Sequence, residues 1–496
     1  MSTRAAGDHP AGLDTVLLTQ PRRLPSRAFV PVLGSCCLIA TTAYLLVFTL
    51  LGQIGASFRA SDATVDWIAI TTLTVGTVSA GLFPALGSQF GYRRLLVLAM
   101  GCLAVGSAVG SLAPDLAVVF VGRIVAACGL AAVALSVAIV RQHLPEEALA
   151  GALGVIAGFE GLAAATGFAL GGVVETAFAS DWRAVFAVLA AIAAVGGAGA
   201  YAVVPGAHLP ATPGPPASRP RSARLDLVGA VLLAASLVAL MLPITEGDSW
   251  GWSSLRTVGL LVAGAVLAAA FVLAELRAPV PLVAIRVCRR PLVAVGLALC
   301  AAMGATTGIL NITVPPFVEA PAGAGYGFGD SVLEAGLVML PAAAAITAAG
   351  LAGGLLARRL ASARSIAVAG MVLEAASMSL LAAFHHSLGE VVPIVALFGV
   401  GHGSMVFSSY SIVVRAVARR DAGTVTGLTG IASGIGGAVA TAGATSLLVS
   451  RLVEAARQSL PAASGYVHAW VLAALLAAGG VALAGAATAV RRAGPS

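Results

Sequence analysis

Charged residues are scarce in this sequence. They make up 10% of its 496 residues, whereas hydrophobic residues make up 59%, and soluble domains carry roughly 25% charged residues. A chain of this length and composition cannot cover its surface with groups that favour water. We therefore expect most of its surface to face hydrocarbon, which excludes a soluble enzyme.

Lysine is absent, and all 28 basic residues are arginine. A P-loop needs a Gly-Lys pair to hold nucleotide phosphates, so the sequence predicts no direct use of ATP. It also contains no H-E-x-x-H, the pattern typical of zinc peptidases. The net charge of +7 is interpreted as charge on the loops of a membrane protein rather than as a nucleic-acid-binding surface.

Cysteine is rare as well, with six residues in all. Five lie inside apolar runs and none has the spacing of a metal-ligand pair, so we predict no disulfide, no metal site and no cofactor. No secretory signal is predicted, because the first apolar run begins near Phe29 and is too long for a signal peptide.

Long apolar runs are abundant. Fourteen of them are long enough to cross a bilayer, which takes about 20 helical residues. Their unbroken apolarity does not fit barrel strands, so we predict helices, whose backbone polar groups bond to one another in lipid. The predicted spans are 30–52, 65–87, 95–114, 117–140, 149–177, 182–204, 226–246, 257–276, 291–316, 331–357, 365–387, 390–417, 423–448 and 467–490.

The placement of arginine predicts the orientation in the membrane. If both termini are cytoplasmic, 22 of the 28 arginines fall on the cytoplasmic side, five fall outside, and Arg123 lies within the membrane. Such an excess of positive charge marks cytoplasmic loops. All five tryptophans fall at the outer ends of predicted spans, as an interfacial aromatic belt would.

The order of the spans predicts two six-helix bundles with two inserted helices. A segment rich in Pro and Arg after the sixth span is typical of an extended linker. The predicted division is a cytoplasmic N-terminal segment 1–29, an N-terminal bundle 30–204, a cytoplasmic linker 205–225, two inserted helices 226–276, a C-terminal bundle 291–490 and a cytoplasmic tail 491–496.

Several short patterns, in their order and spacing, resemble the major facilitator superfamily, specifically its fourteen-helix drug:proton antiporter family. They include GSQFGYRR at 87–94, Gly122-Arg123, GFALGG at 167–172 and Leu340-Pro341. The resemblance implies an all-α integral membrane fold with fourteen transmembrane helices and transport by alternating access. It implies a conformational role for residues Gly87, Gly91, Arg93, Arg94, Gly167, Gly171 and Gly172.

The sequence departs from the family's patterns at three of these places. Ser88 stands where the loop motif has an acid, Phe168 where the antiporter motif has Pro, and Ala43 where many relatives carry an acid in the first span. The usual charge relay and the usual cation-binding acid are therefore missing. For the glycines, the alternative to a mechanical role is ordinary close packing of helices.

Four ionisable residues lie deep in predicted spans. An ionised group at mid-bilayer costs about 2.5–3.5 kcal/mol on insertion scales, so each residue needs an explanation. Glu160, Arg123 and His402 are the candidates for proton coupling, whereas Glu374, on a span that the resemblance places outside the pathway, is interpreted as structural.

Each of the three candidates has a structural alternative. Glu160 either exchanges a proton during transport or stays protonated and bonded to a neighbouring helix. Arg123 either tunes a nearby acid or bonds to helix carbonyls. His402 either titrates in the cavity or is tolerated between two glycines, Gly401 and Gly403, where backbones approach.

Uncharged polar residues indicate where a substrate would bind, unless they only satisfy one another. The candidates for the substrate cavity are Thr41, Tyr44, Thr307, Asn311, Ser408 and Tyr410. Apart from these groups the expected pocket is largely apolar, which suits a hydrophobic organic molecule.

The sequence, with the resemblance, predicts a proton-coupled secondary transporter that exports small, largely hydrophobic organic molecules such as drugs or antibiotics. We expect it in the cell membrane as a functional monomer whose partners are the substrate, protons and the bilayer. Two alternatives stay open: an exporter of a cell metabolite such as an amino acid, sugar or siderophore, and a transport-inactive receptor or scaffold of the same fold.

Overall fold

The structure, a computed structural model, covers most of the chain. It describes residues 27–60, 62–177, 181–206, 227–278, 285, 291–359, 362–415, 422–450, 452–455 and 458–493. The predictions made for the N-terminal segment, most of the linker 205–225 and the last residues of the tail lie outside these ranges.

The described residues form fifteen α-helices. They are α1 (Phe29–Phe58), α2 (Asp62–Phe90), α3 (Tyr92–Ser111), α4 (Leu116–Ala127), α5 (Ala131–His143), α6 (Glu146–Ala177), α7 (Trp182–Val203), α8 (Leu227–Trp250), α9 (Leu255–Arg277), α10 (Pro291–Glu319), α11 (Val332–Arg359), α12 (Ala363–Ala383), α13 (Leu388–Arg415), α14 (Ala422–Val449) and α15 (Ala463–Ala493). Side chains cap several of them: Asp115 accepts from the Val118 amide at α4, and Ser362 from the Ser365 amide at α12.

Twelve helical stretches among the described residues are long and apolar enough to cross a membrane. One of them, Leu116–His143, joins α4 and α5. The predicted spans 65–87 and 226–246 fall on α2 and α8, which are not among the twelve. The protein is therefore a multi-pass helical membrane protein, although the twelve stretches do not reach the predicted fourteen.

The structure shows two local features that the sequence did not predict. The predicted span 117–140 is interrupted by a 3₁₀ turn at Cys128–Leu130, which needs no proline and leaves the run apolar. The loop after α14, which lies between two predicted spans, contains a short hairpin. There β1 (Leu452–Ala455) pairs antiparallel with β2 (Gln458–Pro461), and the hydroxyl of Tyr326 donates to the carbonyl of Pro461.

Two large hydrophobic clusters form the core. The first lies almost wholly within residues 29–204, and the second lies within residues 305–473. We call residues 29–204 the first half and residues 291–493 the second half. Helices α8 and α9 pack against each other, and α8 also contacts α2 and α14.

Glycine allows the two halves to touch closely along two helix pairs. On α6, a Cβ at Gly154 would lie 2.9 Å from the Gly350 carbonyl oxygen of α11. On α14, a Cβ at Gly427 would lie 2.9 Å from the Gly81 Cα of α2. Both contacts lie toward the helix ends that adjoin the arginine-rich loops, so the halves are closed there.

Candidate functional site

A cavity of ≈ 110 Å³ lies between the two halves. Its wall combines α1 and α6 of the first half with α10, α11 and α13 of the second. Five of its side chains are polar, namely Thr41, Glu160, Thr307, Asn311 and His402. The others are Ala, Leu, Met, Ile, Phe and Val side chains, so an apolar ligand with few polar groups fits this wall.

Glu160 connects the two halves directly. The hydroxyl of Tyr410 on α13 donates to Glu160 Oε1 on α6 at 2.7 Å. One residue further along α6, a Cβ at Gly161 would lie 2.5 Å from the Thr347 amide nitrogen, so only glycine permits this approach of α11. The cavity therefore holds a half-buried carboxyl group that accepts a hydrogen bond from the opposite half.

His402 is part of a second polar cluster, within the second half. Its Nδ1 lies 3.0 Å from Thr307 Oγ1 and 3.2 Å from Glu374 Oε1. The hydroxyl of Thr306 donates to the other carboxylate oxygen, Glu374 Oε2, at 2.6 Å. Glu374 is 0% exposed, so this network satisfies a carboxyl group that would otherwise be buried without partners.

The glycines beside His402 allow α11 and α12 to pack closely against α13 at this cluster. A Cβ at Gly401 would lie 2.7 Å from the Gly370 carbonyl oxygen of α12, and a Cβ at Gly403 would lie 2.3 Å from the Ile346 carbonyl oxygen of α11. Backbones of α11 and α12 therefore approach closely on the two sides of this histidine. The same close approach brings the imidazole to Glu374. A histidine that is tolerated between two glycines can therefore also be one that titrates in the cavity.

Glu374 is the site residue that sequence reasoning placed elsewhere. The resemblance places it on a span away from the pathway, as a structural acid, yet it contacts the imidazole that borders the cavity. The available signal was chemical, because an acid in the middle of an apolar span needs a nearby donor. Gly370, one helical turn earlier on α12, marked the side on which another backbone approaches.

Arg123 does not border the cavity. It is 2% exposed, its Nη2 donates to the Ala43 carbonyl oxygen at 3.5 Å, and its guanidinium lies 5.5 Å from the centre of the Phe186 ring. Its Nε and Nη1 have no hydrogen-bond partner within the described part of the chain. The guanidinium therefore contacts the backbone at Ala43, a position where many relatives carry an acid and this sequence has none.

The remaining predicted cavity residues divide into two groups. Thr41, Thr307 and Asn311 line the cavity, and Tyr410 reaches it through Glu160. Tyr44 and Ser408 are not in its wall, and the hydroxyl of Ser408 donates within its own helix, to the Ser404 carbonyl at 2.7 Å. Whether any of them binds substrate stays a prediction.

The predicted conformational motif occupies the junction of α2 and α3. Gly91 precedes α3 with φ 94°, a value that favours glycine, and allows the sharp turn there. Arg93 lies over the Tyr201 ring at 4.7 Å and donates to the Val204 carbonyl at 3.4 Å, which ties α3 to the end of α7. Gly87 is buried on α2, whereas Arg94 is exposed.

The glycines of the antiporter-like pattern lie on α6. Gly167 packs against α1, where its Cβ would lie 2.7 Å from the Leu45 Cβ. Gly171 and Gly172 continue the same helix. These contacts agree with close packing and do not distinguish it from a mechanical role.

Comparison with known proteins identifies similar transporters. The chain is 27% identical over 402 residues to the tetracenomycin C resistance and export protein of Streptomyces glaucescens, covering 79% of this chain and 70% of that one. It is 27% identical over 413 residues to the multidrug resistance protein Stp of Mycobacterium tuberculosis, covering 82% and 73%. It is also 27% identical over 452 residues to the puromycin resistance protein pur8 of Streptomyces alboniger, covering 84% and 82%.

A solved structure shares the fold. The human organic anion transporter MFSD10 superposes with a TM-score of 0.63 over 92% of this chain and 99% of that one, at 17% identity. The family model for the Major Facilitator Superfamily matches residues 32–441. Proteins of this family are transporters rather than enzymes. The chain belongs to the Major Facilitator Superfamily.

Proposed function

We propose that this protein is a proton-coupled secondary transporter that exports small, largely hydrophobic organic molecules, including antibiotics, by alternating access. The observation that carries the proposal is the cavity between the halves, in which Glu160 of the first half accepts a hydrogen bond from Tyr410 of the second. A titratable group whose bonding partner belongs to the opposite half links its protonation to the arrangement of the two halves.

The coupling follows from the two states of Glu160. As a carboxylate it accepts a charge-assisted hydrogen bond from Tyr410, which is about twice as strong as a neutral one. When Glu160 takes up a proton, that bond becomes neutral and weaker, so the halves separate more easily. Proton uptake and release at one residue then shift the balance between conformations, which is what exchange of a proton for a substrate requires.

The orientation and the number of spans are part of this proposal. The arginine distribution supports cytoplasmic termini and a position in the plasma membrane. With α2 and α8 added to the twelve apolar stretches, fourteen helices cross the bilayer in two six-helix bundles and one inserted pair. The closed ends of α6, α11, α2 and α14 then face the cytoplasm, so the described conformation is closed toward that side.

The relatives and the cavity wall suggest the substrate class. Proteins named for export of tetracenomycin C and for resistance to puromycin are similar over about 80% of this chain. The wall is mainly apolar, with hydroxyl, amide, carboxyl and imidazole groups at a few points. We propose that the protein acts as a monomer without a cofactor, and that nucleic acid is not a partner.

Growth tests in cells distinguish this proposal from its alternatives. The gene is expressed in a strain that lacks its own drug exporters, and minimal inhibitory concentrations of puromycin and tetracenomycin C are measured with and without a protonophore. We expect several-fold protection that the protonophore removes. Protection that survives the protonophore would argue against proton coupling, and no protection with any drug of a wider panel would favour a metabolite exporter or an inactive receptor.

A further inference from the structure

We propose that Glu374 is a positioning residue that holds His402 with a proton on Nδ1, so that Nε2 is the nitrogen that gains and loses a proton at the cavity wall. This inference rests on the proposed function, because it assigns a role in transport to a residue that touches His402 rather than the substrate. It concerns a pair within the second half, whose hydrogen bonds involve neither Glu160 nor Tyr410.

The contacts of Nδ1 favour a proton on that nitrogen. Glu374 Oε1 lies 3.2 Å from it and, as a carboxylate, can only accept. Thr307 Oγ1 lies 3.0 Å from Nδ1, but its hydroxyl also donates to the Met303 carbonyl at 2.9 Å, which leaves a lone pair toward the imidazole. Thr306 Oγ1 lies 2.6 Å from the far oxygen of Glu374 and 2.9 Å from the Met303 carbonyl oxygen. Its single proton goes to the carboxylate, which is the stronger acceptor, and this bond limits rotation of Glu374.

Nε2 is then the nitrogen that remains for a ligand. His402 borders the cavity, and Nε2 makes no hydrogen bond to any residue that the structure describes. The imidazole stacks on the Phe398 ring at 5.5 Å between centroids and 13° between planes. Stacking on one face and bonding at Nδ1 together fix the direction of Nε2.

Protonation reverses the hydrogen-bonding character of this atom. A neutral imidazole with its proton on Nδ1 presents a lone pair at Nε2 and accepts from a hydroxyl or N–H of the substrate. When a proton from the cavity binds that lone pair, Nε2 becomes a donor and the acceptor is lost. No other bond breaks, and the imidazolium is neutralised by the carboxylate of Glu374.

The pair therefore favours a particular kind of substrate. An apolar molecule with a hydroxyl or N–H donor bonds to the neutral site and loses that bond when a proton arrives. The other titratable groups facing the cavity are Glu160, from α6, and its partner Tyr410. The walls supplied by α10 and α11 contribute Thr307, Asn311 and apolar side chains, none of which titrates in this way.

Nitrogen NMR tests the assignment without any transport. Full-length protein labelled with ¹⁵N-histidine is purified into lipid nanodiscs, and the His402 signals are identified by their loss in His402→Gln. At neutral imidazole we expect the proton on Nδ1, and on acidification we expect Nε2 to gain one. In Glu374→Gln the neutral amide accepts more weakly, so the excess of the Nδ1–H form over the Nε2–H form should fall roughly tenfold.

The controls separate this inference from the proposed function. Glu147→Gln, which alters an exposed carboxylate at the start of α6, should leave the His402 signals unchanged. A wild-type His402 with its proton on Nε2 when neutral would overturn the inference, even if Glu374→Gln does not fold. An unchanged ratio of the two forms in folded Glu374→Gln would also overturn it. Failure of proton-driven export with the expected His402 signals would count against the proposed function alone.

Discussion

At the scale of residues, partners that are far apart in sequence define the site. Glu160 and Tyr410 are separated by 250 positions, and His402 and Glu374 by 28. The sequence identifies each ionisable residue as unusual because charge is expensive in a bilayer. It does not reveal which two meet, because that depends on how the helices pack. Glu160 and His402 border the cavity, and their predicted role in proton coupling stays a prediction; the contact between His402 and Glu374 could not be predicted from the sequence.

Arg123 permits a prediction about stability. A buried guanidinium with two nitrogens that lack described partners gains little from one 3.5 Å bond to a carbonyl. Arg123→Met keeps the length of the side chain and removes the charge. We expect the apparent melting temperature of Arg123→Met to be no lower than that of the wild type. Removing the two guanidinium nitrogens that lack described partners should raise the free energy of unfolding by about 1–3 kcal/mol.

Thermal unfolding and export, measured on the same preparation, distinguish the two roles of Arg123. If the residue serves transport, export falls while the melting temperature holds. A clear drop in melting temperature would instead support a purely structural arginine. Arg94→Met, at an exposed arginine outside the core, is the matched control and should leave thermal stability within about 0.5 kcal/mol of the wild type.

At the scale of elements, the apolar pattern predicts where helices run better than it predicts how they are interrupted. The helices coincide with the predicted runs because a long apolar segment has few alternatives in lipid. The 3₁₀ turn at Cys128–Leu130 contains no proline, so nothing in the sequence indicates that the helix is interrupted there. Strands β1 and β2 form by pairing with each other in the loop after α14, and the apolar pattern does not indicate this pairing. Trp182 and Trp470, expected in an interfacial belt, are instead buried, and each indole donates to a side-chain hydroxyl.

The contact between α6 and α11 leads to a prediction about packing. At Gly161 any side chain meets the backbone of Thr347, whereas a Cβ at Gly101 on α3 meets nothing within 4 Å. Gly161→Val should force the helices apart, cost about 1–3 kcal/mol of stability and abolish export. Gly101→Val is the control and should remain active. Equal export and equal melting temperatures for the two variants would show that the close approach of α6 and α11 is not required.

At the scale of the whole molecule, the proposed orientation can be tested by labelling. In a background without native cysteine, single cysteines are placed at Ser249, Ser464 and Ser222, and intact cells are treated with a thiol reagent that does not cross membranes. Because 22 of the 28 arginines should lie inside, we expect labelling at Ser249 and Ser464 but not at Ser222. Labelling of Ser222 in intact cells would reverse the orientation.

The central claim is that protonation of Glu160 drives export. It is tested most directly with purified protein in liposomes that have an acidic lumen and no ATP, by following accumulation of puromycin or tetracenomycin C. The wild type should accumulate drug until the pH gradient is collapsed. Glu160→Gln keeps the shape of the protonated acid but cannot release a proton, so it should accumulate no more than empty liposomes, while Glu147→Gln matches the wild type. Accumulation by Glu160→Gln at the wild-type rate would contradict the account.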